Sequence, residues 1–511
     1  MTSRGSSTAR AAIAGSLGIA ALVAAAPARA LDAEVTSDTV AQFYEMRSPT
    51  GETVIPRRRL TTTLGVGAYD LWVPDPSRRG GPELSFRARM RYDADYGADA
   101  AETEVTNFGR LVPGFQRGPV DLMYGYVEGR RFAGGWLGFK LGRQYTNDML
   151  GWWSFDGGLV RVTTPFYAAV EAYGGIEQRG GLPLSLPRYE RDGIWRGDRS
   201  DYDAQVWRSF EQNRVAPAFG ATAETVGLPW VHAKVAYRRV ENTGGSEVSF
   251  FDSATVAPTR VGGTRVAPER LGVAADGTLG DLAGAKAGLS YDMYMRRLAT
   301  AFASVDVFAT KRVIASVDYD YYQPSFDADS IWNWFLAAPM NDLGARGSVE
   351  ATDRLSLSAG GHARIFKNQT ESAGTQSASL QIDPSAAYYP SSALTFAGGG
   401  DLTARYKWGE GMVGARGAAD FGSGAQRAGG DVYGERVLET RYVFNARAGL
   451  WEWDDKLRPG RDAVGFNYVA GVGHVLVPKT SRVLFEWDHA MNRISGQRFR
   501  MMLWLTLAVT P

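Results

Sequence analysis

The sequence predicts an all-β fold, a single antiparallel β-barrel that spans a membrane with about 18 strands (16–20) after a cleaved signal peptide. Three observations support this prediction. Many segments alternate apolar and polar residues with a period of two, the chain begins with an export signal, and no later run of about 18 apolar residues follows it.

The alternation is clearest in residues 83–96, which read E-L-S-F-R-A-R-M-R-Y-D-A-D-Y. Side chains of a β-strand point to opposite faces in turn, so Phe86 and Met90 share one face and the arginines share the other. A soluble sandwich would bury the apolar face and leave the charges in bulk water. A membrane barrel would turn the apolar face to lipid and the charged face to a wet lumen.

The N-terminus favours the barrel. Residues 1–30 contain Arg4 and Arg10, an alanine-rich apolar run, and an A-x-A cleavage site at residues 28–30. They are predicted to be a secretory signal peptide, with residues 31–55 as a lead-in or first strand and residues 56–511 as the barrel. Because lipid offers no hydrogen-bond partner to an open strand edge, an exported β-chain can cross a membrane only as a closed barrel.

The predicted strands follow the alternation along the chain, and a further short strand is predicted at residues 218–225. They cover residues 38–46, 59–72, 83–96, 120–126, 136–144, 159–173, 231–240, 286–294, 300–308, 312–321, 346–351, 354–365, 377–388, 394–406, 413–421, 439–450, 464–472, 482–491 and 498–509. Long loops are predicted at about 174–228, 242–280 and 323–342, and the first and last of these are candidates for a gate. Short turns that alternate with long loops are typical of outer-membrane barrels.

Composition excludes several function classes. Lys and Arg total 56 against 55 Asp and Glu, a net charge of +1, so no attraction to nucleic acid is predicted. The absence of Cys excludes disulfides and thiolate metal sites, and no metal, phosphate or nucleotide motif is present. The four His form no Ser/His/Asp spacing. The sequence therefore predicts no enzyme, no metal and no cofactor.

Aromatic residues recur near the predicted strand ends, where they could form the girdles that mark a membrane interface. These are Tyr92, Tyr96, Tyr124, Tyr126, Tyr319, Tyr321, Trp408, Trp451, Trp453, Trp487 and Trp504. Ordinary packing between neighbouring strands is the alternative for each of them.

The polar face of the predicted strands is rich in arginine. The candidates for a conduction surface are Arg87, Arg89, Arg91, Arg161, Arg346, Arg364, Arg405, Arg416, Arg441, Arg447, Arg482 and Arg500. Two interpretations remain open. Cross-strand ion pairs with inward carboxylates could brace the wall, or unpaired arginines could attract anions at a constriction. Arg87, Arg89 and Arg91 are the first candidates because no equally dense acidic run lies beside them.

Two short motifs resemble known families. L-G-R-Q at residues 141–144, followed by F-D-G-G-L-V at residues 155–160, is similar to a strand–loop–strand pattern of bacterial porins and of the alginate-export family. The resemblance implies a monomeric barrel that passes an anionic exopolysaccharide through an arginine-lined lumen. It also implies a possible short periplasmic polysaccharide-export protein as a partner.

Three functions are therefore considered for a barrel in the outer membrane of a Gram-negative bacterium. The first is a passive conduit that exports an acidic exopolysaccharide. The second is a general diffusion porin for small anionic solutes. The third is a non-conducting barrel whose loops dock partner proteins. Outer-membrane lipid is the partner common to all three.

Overall fold

The computed structural model describes residues 32–71, 81–95, 120–178, 216–242, 248–252, 257–261, 264–294, 296–323, 339–366, 395–422, 425–455, 460 and 462–509. Within them, 22 strands form one sheet, and two short strands form a separate hairpin. The strands of the large sheet are β1 (Asp32–Arg47), β2 (Thr53–Tyr69), β3 (Glu83–Asp95), β4 (Val120–Phe132), β5 (Leu137–Asp148), β6 (Gly151–Thr163), β7 (Ala168–Glu177), β8 (Pro217–Thr225), β9 (Val231–Asn242), β12 (Arg265–Leu279), β13 (Ala283–Asp292), β14 (Arg297–Thr310), β15 (Val313–Tyr322), β16 (Met340–Glu350), β17 (Leu355–Phe366), β18 (Thr395–Trp408), β19 (Gly411–Gly422), β20 (Ala425–Leu438), β21 (Tyr442–Asp455), β22 (Ala463–Val477), β23 (Ser481–Asn492) and β24 (Gly496–Val509). The separate hairpin is β10 (Val248–Asp252) with β11 (Ala257–Val261), and one 3-10 turn covers Ala133–Gly135.

The sheet closes on itself. In order along the chain, each of the 22 strands pairs antiparallel with the one before it and the one after it, β9 pairs with β12, and β1 pairs with both β2 and β24. The seam between first and last strand runs from the pair Val35–Val509 to the pair Arg47–Gln497. The predicted all-β, closed antiparallel barrel is confirmed. The predicted strand number of about 18 is wrong, because 22 described strands form the ring.

The strand count fails where alternation is weak. Residues 159–173, predicted as one strand, hold the end of β6, a turn and the start of β7. Strand β12 lies inside the predicted loop 242–280, because proline, glycine and aspartate in its sequence hide the strand signal. Strand β20 was not predicted at all, for a similar reason: residues 425–430 read A-Q-R-A-G-G. The predicted strand 377–388 and signal peptide 1–30 lie outside the described residues.

The two ends of the barrel differ. One end, the turn end, carries residues 32 and 509 and connections that are mostly as short as residues 311–312 and 409–410. The opposite end, the loop end, carries the long connections, at residues 96–119, 178–216, 243–264, 323–339 and 367–394. The alternation of short turns and long loops therefore follows the predicted asymmetry. Two of the predicted loops were drawn too long, because 174–228 includes β8 and 242–280 includes β12.

The outer face of the wall is apolar and uncovered. Leu402 is 68% exposed, Val432 57% and Leu343 55%, and comparable apolar side chains recur around the ring. An exposed apolar band of this extent is typical of a surface that contacts lipid. Among the described residues, no helix is long and apolar enough to cross a membrane.

The inner face encloses a wide space. With strands about 4.8 Å apart and tilted by about 40°, 22 strands give a ring roughly 40 Å across between backbones. A lumen of this width cannot select small solutes without something inside it.

The predicted aromatic girdles are only partly on the outer face. Tyr319 and Trp408 do lie outside and are more than a third exposed. Trp451, Trp453 and Trp504 share the inner face of their strands with lumenal residues, and Arg427 lies over the Trp451 ring at 4.2 Å. Tyr124 and Tyr126 also lie on the inner face, because they are the direct cross-strand partners of Arg89 and Arg87. Tyr96 lies outside the described residues.

The two faces of β15 provide a test of the lipid assignment. Val317 is 54% exposed on the outer face, and its neighbour Ser316 points into the lumen between Asp306 and Arg346. Val317→Arg should destabilise the membrane-inserted barrel by about 2–4 kcal/mol, because it places a cation in lipid. Ser316→Arg should be tolerated. Urea unfolding of the proteins in lipid bilayers measures both, and equal effects would contradict the assignment.

Candidate functional site: a constricted lumen

The β5–β6 hairpin leaves the wall and bends into the barrel. The last described pairs of this hairpin with the wall are Gly125–Arg143 on one side and Phe155–Glu177 on the other. Beyond them, residues 144–154 pair with each other up to Asp148–Gly151, and one further backbone hydrogen bond runs from the Gln178 N–H to the Ser154 carbonyl. At the tip, Met149 and Leu150 lie against Gly272 of β12, four strands away from β6. We call residues 144–154 the inner hairpin.

A line of glycines marks the place where the inner hairpin departs. Gly142, Gly157 and Gly175 are directly paired across β5, β6 and β7. A Cβ on any of the three would collide with a carbonyl oxygen of the adjoining strand, and Gly142 has a φ of +127°. Only glycine permits this backbone approach and this conformation. Gly142 and Gly157 are the glycines of the two motifs noted in the sequence, so those motifs build the bend.

An aromatic cluster holds the hairpin against the inner wall. Trp153, Phe155, Leu159, Tyr173 and Val240 are all buried inside the barrel, and Phe155 is 0% exposed. The rings of Trp153 and Phe155 stack at 4.3 Å. Burying a large apolar side chain contributes about 1.5–3 kcal/mol. The cluster thus anchors the hairpin to β7, β8 and β9.

A buried ion pair anchors the tip. Nη2 of Arg238, on β9, lies 3.1 and 3.3 Å from the two carboxylate oxygens of Asp148, and the two side chains are 6% and 5% exposed. The same guanidinium lies 4.9 Å from the ring centroid of Trp153. The Trp153 indole N–H donates to Glu177 at 2.9 Å. Because a charge left buried without its partner is costly, this pair fixes the position of the tip.

The structure places the arginines of β3 on the inner wall but not as open cations. Arg89 donates to Asp38 at 2.6 Å and to Thr63 at 2.8 Å, Arg87 lies 5.1 Å from the centre of the Tyr69 ring, and Arg91 is only 3% exposed. Asp38 reaches Arg89 from β1, two strands away. No dense acidic run lies beside these arginines in the sequence, yet Arg89 has a carboxylate partner that is distant in sequence.

Four other candidates brace the wall. Each lies within 4 Å of a carboxylate on a nearby strand: Arg161 with Glu171 and Glu224, Arg364 with Asp342, Arg447 with Asp431, and Arg500 with Asp488 and Glu486. Arg441 does not lie on a strand, because β21 begins at Tyr442. The two residues before Arg441 have φ of 51° and 57°, which belong to a turn. Its predicted place on the lumenal face of a strand is thus corrected.

Four arginines remain as exposed lumenal cations. Arg346, Arg405, Arg416 and Arg482 are exposed on the inner face and have no ion-pair partner among the described residues. Sequence alternation identified their face, but it could not distinguish them from the braced arginines.

The acidic residues of the lumen gather half-way round the ring from β3. Asp318 and Asp320 on β15 lie beside Asp342 on β16, and within the described part of the chain the first two have no ion-pair partner. The arginines of β3 and the carboxylates of β15 and β16 thus face each other across the lumen.

The histidines belong to the wall. His232 lies 3.2 Å from Asp276, and His362 lies 3.2 Å from Asp420. His474 and His489 face outward and stack on aromatic rings. In the described part of the chain, no three His, Asp or Glu are grouped as a metal ion would require.

A scan against models of known protein families finds no match, and a search of curated proteins finds none. The resemblance to the alginate-export family therefore gains no support. Solved structures with a similar course of the chain include OccAB4 of Acinetobacter baumannii, at 7% identity with a TM-score of 0.42, covering 94% of this chain and 98% of that chain. The outer-membrane protein OpdK of Pseudomonas aeruginosa is 7% identical with a TM-score of 0.42, and the match covers 94% of this chain and 99% of that chain. A BenF-like porin of Pseudomonas fluorescens is 9% identical with a TM-score of 0.43, and the match again covers 94% of this chain and 99% of that chain. At such low identity these similarities assign no function.

The glycine line can be tested by adding one methyl group. Gly157→Ala should destabilise the barrel by about 1–3 kcal/mol, because the new Cβ collides with the Gly174 carbonyl. Gly347→Ala is the matched control, since no atom lies within 4 Å of a Cβ at that position. Urea unfolding in detergent measures both variants. An unchanged stability of Gly157→Ala would show that the strands do not approach as closely as described.

The buried ion pair can be tested by a double-mutant cycle. Arg238→Ala should cost about 3–5 kcal/mol, because it leaves the Asp148 carboxylate buried and unpaired. Adding Asp148→Ala should recover part of that loss. The exposed pair Arg312–Asp353 is the control, and Arg312→Ala should cost no more than about 1 kcal/mol. Equal losses for the two arginines would contradict a buried anchor.

Proposed function

We propose that this chain is an outer-membrane channel for the diffusion of small charged or polar solutes, with the inner hairpin as its constriction. The observation that carries the proposal is the position of residues 144–154 inside the lumen, held by the aromatic cluster and by the Arg238–Asp148 pair. A ring of about 22 strands alone would be too wide to select. The inner hairpin supplies the narrowing that selection requires.

The location in a Gram-negative outer membrane is part of the proposal. It is supported by the closed barrel, the exposed apolar outer face and the contrast between the turn end and the loop end. In barrels of this membrane the short turns face the periplasm and the long loops face outward. We accordingly place the turn end and both ends of the barrel chain in the periplasm.

The lumenal charges favour small solutes that carry charge or a dipole. The exposed arginines Arg346, Arg405, Arg416 and Arg482 and the carboxylates of β15 would interact with a charged or dipolar solute on its path. Several arginines remain exposed and without an ion-pair partner within the described residues, and Asp318 and Asp320 likewise have no ion-pair partner there. This mixed lining favours a channel for small ions of either sign over a purely anion-selective one.

Polysaccharide export, the first function considered from the sequence, finds no supporting observation. An anchored hairpin in the lumen favours short solutes over a continuous polymer chain. The non-conducting barrel is separated from both by a conductance measurement.

The decisive experiment measures single-channel conductance in planar bilayers with the full-length protein and a variant with a shortened hairpin. Replacing residues 147–152 by Asn-Gly keeps the Thr146–Trp153 pair as the closing pair of a two-residue turn. Conductance should rise severalfold in this variant.

The chain has no cysteine, so a Met149→Cys, Gly272→Cys pair can form a disulfide without competition.

Oxidising this cysteine pair should leave the conductance unchanged, because it fixes the hairpin where it already lies. Absence of current in the folded protein would overturn the channel proposal. Equal conductance with and without residues 147–152 would show that the inner hairpin is not the constriction of the channel. Liposome swelling with a small sugar and with dextran then tests size, since passage of dextran would restore the export function.

A further inference from the structure

We infer that the lumen contains a binding site for a hydroxylated organic acid near the turn end, on the wall formed by β16, β17 and β18. The inference rests on the proposed channel function, because it names a class of solute for it. The site is a cavity of about 340 Å³ on the lumenal surface. This volume lies within the range of small-molecule sites. Its polar lining consists chiefly of Ser348, Ser356, Ser358, Thr403, Arg405 and Tyr433.

Strand register arranges the lining in two rows. Ser348, Ser358 and Thr403 are direct partners across the three strands, which places three hydroxyl groups side by side. The neighbouring row, two residues nearer the turn end, is formed by Glu350, Ser356 and Arg405. Since residues two apart in a strand share a face, all six side chains line the same patch of lumen.

The charged groups Arg405, Glu350 and Lys311 of this patch are not used in ion pairs with other described residues, so they can interact with a ligand. Arg405 makes one hydrogen bond, from Nε to the Ser356 hydroxyl at 3.4 Å, and within the described residues neither it nor Glu350 has an ion-pair partner. Lys311 at the rim is likewise without one in that part of the chain, whereas Arg312 is neutralised by Asp353 at 2.7 Å. A bracing ladder would join Arg405 to a carboxylate, as Arg447 is joined to Asp431 at 2.9 Å.

These groups match a carboxylate that carries several hydroxyls. The planar guanidinium of Arg405 suits a carboxylate, and Lys311 adds a second positive charge at the rim. The hydroxyl row can both donate to and accept from ligand hydroxyls, and Glu350 can accept from one more. The Tyr433 ring lies over Gly414, which has no side chain to displace it, and offers an apolar surface to the carbon chain. A sugar acid has this combination of groups, and a plain fatty acid lacks the hydroxyls.

The test measures the block of single-channel current by gluconate added from the turn-end side of the full-length protein. Hexanoate is the matched probe, with six carbons and one carboxylate but no hydroxyls. Gluconate should block at a concentration at least about tenfold lower than hexanoate. Arg405→Gln should raise the blocking concentration of gluconate by about tenfold or more, since it removes charge-assisted hydrogen bonds. Ser358→Ala combined with Thr403→Val should weaken gluconate and leave hexanoate unchanged.

Arg482→Gln is the control, because Arg482 is an exposed lumenal arginine of β23, outside the cavity. It should leave the gluconate block as in the unmodified protein. Equal block by the two acids, or an unchanged block in Arg405→Gln, would overturn the site. If the folded protein carries no current, the channel function fails on its own. Calorimetric titration of gluconate into the detergent-solubilised protein and the Arg405→Gln variant then decides the site separately.

Discussion

The pairing of β1 with β24 is the interaction on which the rest of the structure depends. In lipid, an unpaired strand edge has no water to satisfy its N–H and C=O groups, so the sheet must close. Once it closes, every strand has one face toward lipid and one toward the lumen. The outer face is then mostly apolar, and the ion pairs and exposed arginines described above lie on the inner face. The period of two in the sequence is the direct record of this constraint.

Closure with 22 strands creates a second requirement, because the resulting space is far wider than a small solute. The eleven residues 144–154 narrow this space, and no separate domain is used for it within the described residues. Glycines at 142, 157 and 175 let the strands approach and turn inward, and buried rings hold the hairpin against β7, β8 and β9. A buried ion pair, Arg238 with Asp148, joins the tip to the wall, and the Trp153 indole N–H donates to Glu177. Backbone geometry, apolar burial and one ion pair thus each have a separate place in the constriction.

The sequence predicts best those features that depend on residues close together in the chain. Residues 83–96 were predicted as a strand, and β3 spans Glu83–Asp95. Strand β12 was not predicted, because its pairing with β9 and β13 makes it a strand and its sequence alternation does not reveal it. The ion pair of Arg89 with Asp38 could not be foreseen, since register between β1, β2 and β3 determines it. The glycine motifs were recognised as a pattern, but the collision that explains them lies between strands.

The contacts of the inner hairpin also impose an order on assembly. Its tip rests on Arg238 of β9 and Gly272 of β12. Both strands come after the hairpin in the chain, and they lie four and five strands from β5 in the ring. The hairpin can therefore take its final place only after β9 and β12 have joined the sheet. Both strands are members of the ring that the pairing of β1 with β24 completes. The lumen is therefore enclosed only when the strands that hold the hairpin tip are already in place, so the same set of pairings closes the barrel and narrows it.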